Sequence, residues 1–117
     1  MLGDVEPVTW AWMQEGRQLT AAEYMETVTI MHSIGRRMGA FLQNYDLLLT
    51  ATLGRPPLKL GEMDMTTDNV DRYVTYLFDE VAPLTPLFNQ TGGAAMSVSL
   101  AWSGDGLPIG IQFGGGI

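Results

Sequence analysis

Residues 85–116 read TPLFNQTGGAAMSVSLAWSGDGLPIGIQFGGG. Two alternating apolar runs flank a Ser-Gly-Asp-Gly turn, after a short Pro-led segment rich in small residues. In the first run Met96, Val98, Leu100 and Trp102 share one side, and Ser97, Ser99 and Ala101 share the other. In the second, Leu107, Ile109, Ile111 and Phe113 share a face, with Pro108, Gly110 and Gln112 opposite. Period-two alternation on both sides of a Gly-containing loop predicts a β-hairpin. One face is bulky and the other is built of small residues, so both require cover.

Working back along the chain, YDLLLTATLGRPP breaks the pattern. Leu47, Leu48 and Leu49 form a short continuous apolar run, which predicts a central strand flanked by others on both edges. Residues 54–68 form a loop with Pro56, Pro57 and Gly61, after which Thr67 or Asp68 is expected to cap a helix over 69–81. That helix places Val70, Tyr73, Val74, Leu77, Phe78 and Val81 on one face and stops at Pro83. Further upstream, Thr20-Ala21-Ala22-Glu23 is a capping-box pattern, in which the hydroxyl and the carboxylate each satisfy a free helix amide. The helix it opens, over 21–44, carries Tyr24, Val28, Met31, Ile34, Met38, Phe41 and Leu42 at helical spacing. A short helix between Pro7 and Gly16 precedes it. The expectation is an α/β chain of about three helices and three strands, whose apolar faces exceed what three strands can cover.

The totals narrow the function. The chain has 117 residues, enough for one domain, with 46% hydrophobic and 16% charged residues, a globular composition. Six basic against thirteen acidic residues give a net charge of −7, and the five arginines are scattered, so nucleic acid is not expected as a partner. No apolar run approaches the roughly 20 residues of a membrane span, and the acidic MLGDVEPVTW start lacks a signal-peptide pattern. Without cysteine there is no disulfide framework and no thiolate nucleophile. A cytoplasmic location is expected.

No catalytic constellation assembles from these residues. Ser97 and Ser99 alternate on the small face of a strand, with no base in sequence reach, and read as structural. His32, the only histidine, lies mid-helix and cannot build a metal site alone. Glu62, Asp64, Asp68 and Asp71 lack the ligand spacing of a calcium loop and read as a solvated loop with helix N-terminal charge. Lys59, the only lysine, sits between proline and glycine in that loop with nothing to desolvate it. The Gly114–Gly116 run lacks a phosphate-loop pattern. No cofactor and no metal are expected.

The order of these pieces resembles the C-terminal part of the amidase signature family. YDLLLTATL is similar to that family's Tyr-Asp-apolar-Leu-Thr-Pro-Thr strand. FNQTGGAAMSV is similar to its Phe-Asn-x-Thr-Gly-x-Pro-Ala-x-Ser-Val segment, and GLPIGIQ to its Gly-Leu-Pro-apolar-Gly-apolar-Gln strand. EGRQLTAAEY resembles its Gly-Arg-x-Leu-Ser/Thr-Ala-x-x-Tyr helix. Ala51 replaces the expected proline, and Gly93-Ala94 replaces x-Pro. Within the family, WAWMQEGR and SLAWSGDGLPIGIQFG look closest to the members that hydrolyse 6-aminohexanoate cyclic dimers and related aliphatic amides.

The resemblance implies a C-terminal fragment of an α/β/α fold with a large mixed sheet, residues 1–117 forming one part of a single amidase domain. It implies hydrolysis of a small carboxamide by acyl transfer through a Ser–cis-Ser–Lys triad. The Gly/Ser-rich stretch that carries the triad is not present here, so the triad and a final helix are expected outside this chain. By position, Thr50 and Thr52 after Leu49, and the Phe88-Asn89 turn, are the expected substrate-binding contributors. Each also has a structural reading, Asn89 as a backbone-bonding turn residue and the threonines as strand-end hydroxyls. The expected partners are the amide substrate and either the missing N-terminal half or a second copy of the chain. Two alternatives stand beside this: a non-catalytic association module derived from the same fold, and an unrelated α+β protein with a chance resemblance.

Overall fold

The computed structural model describes residues 3–116. The hairpin forms as expected, from β2 (Ala95–Trp102) and β3 (Pro108–Gly114), and β1 (Leu48–Ala51) joins it in an antiparallel sheet of order β1-β3-β2. Ser103 N–H donates to the Leu107 carbonyl at 2.8 Å, the Leu107 N–H to the Ser103 hydroxyl at 3.1 Å, and Gly106 adopts a φ of 77°. Only glycine takes that backbone region without strain, which is why the turn needs it. The central strand is therefore β3, and β1 stands at the sheet's edge. The Leu47–Leu49 run does not report flanking strands on both sides within this chain: Leu49 is 61% exposed.

Register sorts the side chains. Leu49, Phe113 and Met96 lie side by side across the three strands, as do Ala51, Ile111 and Val98, forming the bulky face. Thr50, Gln112 and Ser97 lie across the opposite face, as do Leu48, Gly114 and Ala95. Between Ser99 and Ala101 the register shifts, leaving Leu100 as the extra residue of a bulge. Ala101 then pairs with Ile109 and Trp102 with Pro108, so the bulge moves Trp102 to the small-residue face. Strict alternation had placed it with Met96 and Val98; one inserted residue inverts every side chain beyond it.

The helices are α1 (Pro7–Gly16), α2 (Ala21–Leu42), α3 (Val70–Thr75), which continues into a π-helical turn at Tyr76–Val81, and α4 (Pro86–Thr91). Thr20 and Glu23 make both halves of the capping box. Asn69 caps α3 by accepting from Arg72 N–H at 3.0 Å, while Thr67 accepts from Asn69 N–H at 3.1 Å. The cap is thus one residue later than Asp68 and two later than Thr67. Helix α4 adds a fourth helix where a turn was expected. Pro86 opens it, and Gly92, at φ 73°, closes it with an N–H bond to the Phe88 carbonyl.

Few side chains are fully enclosed. Val8 on α1 and Val70 on α3 are buried where those two helices meet, with Val8 N–H bonded to the Met65 carbonyl. Val81 and Phe88 complete the buried apolar set, and α2 buries no residue fully. The molecule is a plate of 44 × 43 × 20 Å exposing 8619 Å². A self-contained protein of this mass exposes about 6,300 Å². The radius of gyration is 17.1 Å, against about 13 Å for a compact chain of this length. On the bulky sheet face Leu49, Met96, Val98 and Ile109 are exposed, as are Tyr24, Met25 and Ile30 on α2. Among the described residues no helix is long and apolar enough to cross a membrane.

Candidate functional site

The small-residue face of the sheet gathers polar side chains. On β1, Thr50 accepts a hydrogen bond at 3.3 Å from the Nε2 of Gln112, a side chain only 5% exposed on β3. Just past β1, Thr52 extends the ladder by donating its N–H to the Gly110 carbonyl at 2.9 Å. Its hydroxyl meets the Ser97 hydroxyl of β2 at 2.5 Å. The two reach each other because Gly110 lies between them without a side chain. A Cβ there would stand 2.8 Å from the Thr52 hydroxyl and 3.0 Å from that of Ser97. The glycine is required by this close approach.

Helix α4 covers the far end of the same face. The Phe88 ring lies on Gly114, where a Cβ would fall 1.8 Å from the ring. Because Gly114 and Gln112 point the same way along β3, Phe88 shares the face of Thr50 and Thr52. The fourth expected contributor does not join them: Asn89 is exposed on α4, with no side-chain hydrogen bond among the described residues, so the turn-bonding role has no turn to serve. The face offers hydroxyl and amide groups beside an aromatic wall, which can hydrogen-bond an amide and pack an apolar chain. It offers no activated nucleophile. The hydroxyl partner of Ser97 is another hydroxyl, and Ser99 has no side-chain hydrogen bond among the described residues.

At the open end of the sheet lies a cleft of about 330 Å³, lined by Thr52, Leu53, Pro56, Pro57, Leu107 and Ile109 among others. Arg55 also lines it, and its guanidinium turns back to a cluster that sequence spacing did not reveal. Arg55 donates to Tyr76 Oη at 2.7 Å, pairs with Glu62 at 2.7 Å and lies 3.7 Å from Glu80. Tyr76 donates to Glu62 at 2.7 Å, and Arg55 stands 5.6 Å from the centre of its ring. The Tyr76 hydroxyl, then the Lys59 amide, hold the Glu62 carboxyl below its ordinary value. The Glu62 carboxylate in turn raises the Tyr76 phenol. Glu62 is therefore an exposed loop charge, as expected, but one held by Arg55, Tyr76 and the Lys59 amide. Only the Tyr76–Glu80 spacing, one helical turn, carried any trace of this group in the sequence. Among the described residues, no three His, Asp or Glu side chains converge to hold a metal ion.

Comparison with known proteins gives this geometry a context. The family model described as Amidase matches residues 4–116. The chain is 31% identical over 127 aligned positions to a lipoamidase of Enterococcus faecalis, covering 94% of this chain and 18% of that protein. It is 27% identical over 114 positions to the 6-aminohexanoate-cyclic-dimer hydrolase of a Pseudomonas strain, covering 93% and 23%. Its fold is similar to the solved structure of a 6-aminohexanoate cyclic dimer hydrolase, with a TM-score of 0.83 and 25% identity over 97% of this chain and 24% of the other. The chain spans about a fifth of the length of the curated relatives it matches.

Proposed function

Because the chain belongs to the amidase family, we propose that it forms the C-terminal part of a cytoplasmic amidase-type hydrolase acting on a small linear or cyclic carboxamide. The observation that carries this reading is the exposed plate itself. A chain matched to the family over residues 4–116 exposes 8619 Å², with every residue of β2 and the apolar side chains of Tyr24, Met25 and Ile30 on α2 exposed. A total surface well above the roughly 6,300 Å² of a compact protein of this mass, with Leu49, Met96, Leu100 and Trp102 each at least 60% exposed, belongs inside a larger body, since extended apolar patches are rare on soluble monomers. In this reading the chemistry is acyl transfer through a Ser–cis-Ser–Lys triad supplied by the remainder of the domain. The nucleophilic serine attacks the amide carbonyl and loses its proton through the bridging serine to the lysine. The leaving amine takes the proton, and water releases the acid. The present chain supplies a wall of the pocket: Thr50 and Thr52 offer hydroxyls and Phe88 an aromatic surface, while Asn89, exposed apart from them on α4, would reach substrate only from the rim. Relatives named for lipoamide and for 6-aminohexanoate cyclic dimers support an aliphatic amide.

The test is adduct mapping with a serine-directed fluorophosphonate on the full polypeptide that contains residues 1–117. The expected adduct lies outside these residues, accompanied by turnover of aliphatic amides. Thr52→Val should raise KM with little change in kcat, the signature of lost binding. An adduct on Ser97 or Ser99 overturns the reading. The uncovered faces equally suit a non-catalytic association module, and a polypeptide without any reactive serine would favour that second reading.

A further inference from the structure

We propose that residues 53–65 form a strap, clasped by Arg55 to the π-helical turn, whose release opens the wall of the cleft beside β3. This goes beyond the amidase reading and does not depend on it. The strap contains no helix or strand between β1 and α3. It is pinned at both ends. Gly54 N–H donates to the Val81 carbonyl at 2.9 Å, in a contact so close that a Cβ would fall 2.5 Å from the Glu80 carbonyl oxygen. At the other end, the Met65 carbonyl accepts from Val8 N–H.

Between those pins the side-chain ties to the helix are one group. The Arg55 guanidinium and the Tyr76 hydroxyl converge on one oxygen of Glu62, and the other oxygen accepts from Lys59 N–H at 3.1 Å. Glu62 thus closes the strap's own turn and fastens it to the helix at once. Pro56 and Pro57, between the Gly54 pin and that turn, form a wall of the cleft. The tip has little apolar anchorage, since Leu60 is fully exposed. The Arg55 and Glu62 side chains are 35% and 31% exposed, so solvent competes for the clasp. A segment held by few buried contacts and one partly solvated polar hub opens locally at lower cost than the fold unfolds. Such a clasp is a reversible latch.

Lys59, in the strap's turn, makes the motion measurable. A lysine-specific endoprotease needs several residues extended, so cutting of the native protein at Lys59–Leu60, identified by mass spectrometry, tracks the open population. Tyr76→Phe removes the hydroxyl that ties both Arg55 and Glu62 to the helix and keeps the ring, so the fold is preserved. That variant and Arg55→Met should both be cut about tenfold faster than the parent at an unchanged melting temperature. Arg17→Met, which removes a cation over the Trp10 ring of α1 and no tie of the clasp, should be cut at the parent rate. Parent-like cutting of Tyr76→Phe and Arg55→Met would overturn the proposal. So would faster cutting that only follows a lowered melting temperature, because the cluster would then be a static brace.

Discussion

Gly114→Ala places the packing of α4 on the sheet under a direct test. The added methyl carbon would lie 1.8 Å from Phe88 Cζ and 2.1 Å from Cε1, where ordinary contact begins near 3.4 Å. Ring or strand must therefore retreat by about 1.6 Å. Neither yields easily. Gly114 sits in the central strand, paired to Leu48 on one side and Ala95 on the other. Phe88 is buried on a helix whose ends are set by Pro86 and Gly92. Overpacking of a tight site costs about 1–3 kcal/mol. Expelling the ring altogether costs no more than its deletion, about 3–5 kcal/mol. The expected loss is about 3 kcal/mol, at the top of the first range, because a rigid ring and a paired strand both resist. With an unfolding entropy of about 2.1 cal/mol/K per residue, each kcal/mol lowers the melting temperature by about 4 °C, so the substitution should lower it by about 12 °C. Near-UV circular dichroism melts at one fixed protein concentration measure this. The double variant with Phe88→Ala separates the clash from other effects, since removing the ring leaves room for the methyl. The two losses should fall short of additivity by about 2–3 kcal/mol. A Gly114→Ala protein melting within about 2 °C of the parent, or a strictly additive cycle, would refute the packing argument.

In sedimentation velocity, residues 1–117 alone should associate despite the charge of −7, because screening limits repulsion to about 8 Å at physiological salt. A single compact 12.8 kDa species that stays monomeric as concentration rises would count against an uncovered fold. Thr20→Ala should cost about 1 kcal/mol through the lost cap of α2, read as a lower urea midpoint. The backbone amide and then the hydroxyl of Thr20 hold the Glu23 carboxyl below its ordinary 4.5. Its contribution is therefore full above pH 4.5 and is lost as pH falls through the lowered folded value. Glu23→Gln should flatten that part of the acid profile, and an unchanged slope below pH 4.5 would contradict the capping geometry.

The parts of this protein legible in the sequence are those settled over a few residues. Thr20 and Glu23 lie three apart, so the hydroxyl and carboxylate find their amides within one turn, and α2 begins where the pattern places it. Alternation and the Ser-Gly-Asp-Gly loop specify the hairpin because a strand's faces repeat every second residue. Family membership was legible as well, in short motifs kept in order. Other features needed the tertiary structure. The bulge at Leu100 turns Trp102 to the other face, and no local propensity marks where a register shifts. Helix α4 hides in FNQTGG, whose turn-forming residues become helical because Phe88 finds the bare backbone of Gly114 to bury against. Arg55, Glu62 and Tyr76 meet across 21 residues of chain, and only the path of the strap brings them within 2.7 Å. The apolar stripes of α2 and the sheet announced a need for cover, but periodicity records only that a face is apolar. Whether this chain or another surface covers it depends on long-range packing, and here Leu49 and Met96 remain about 60% exposed.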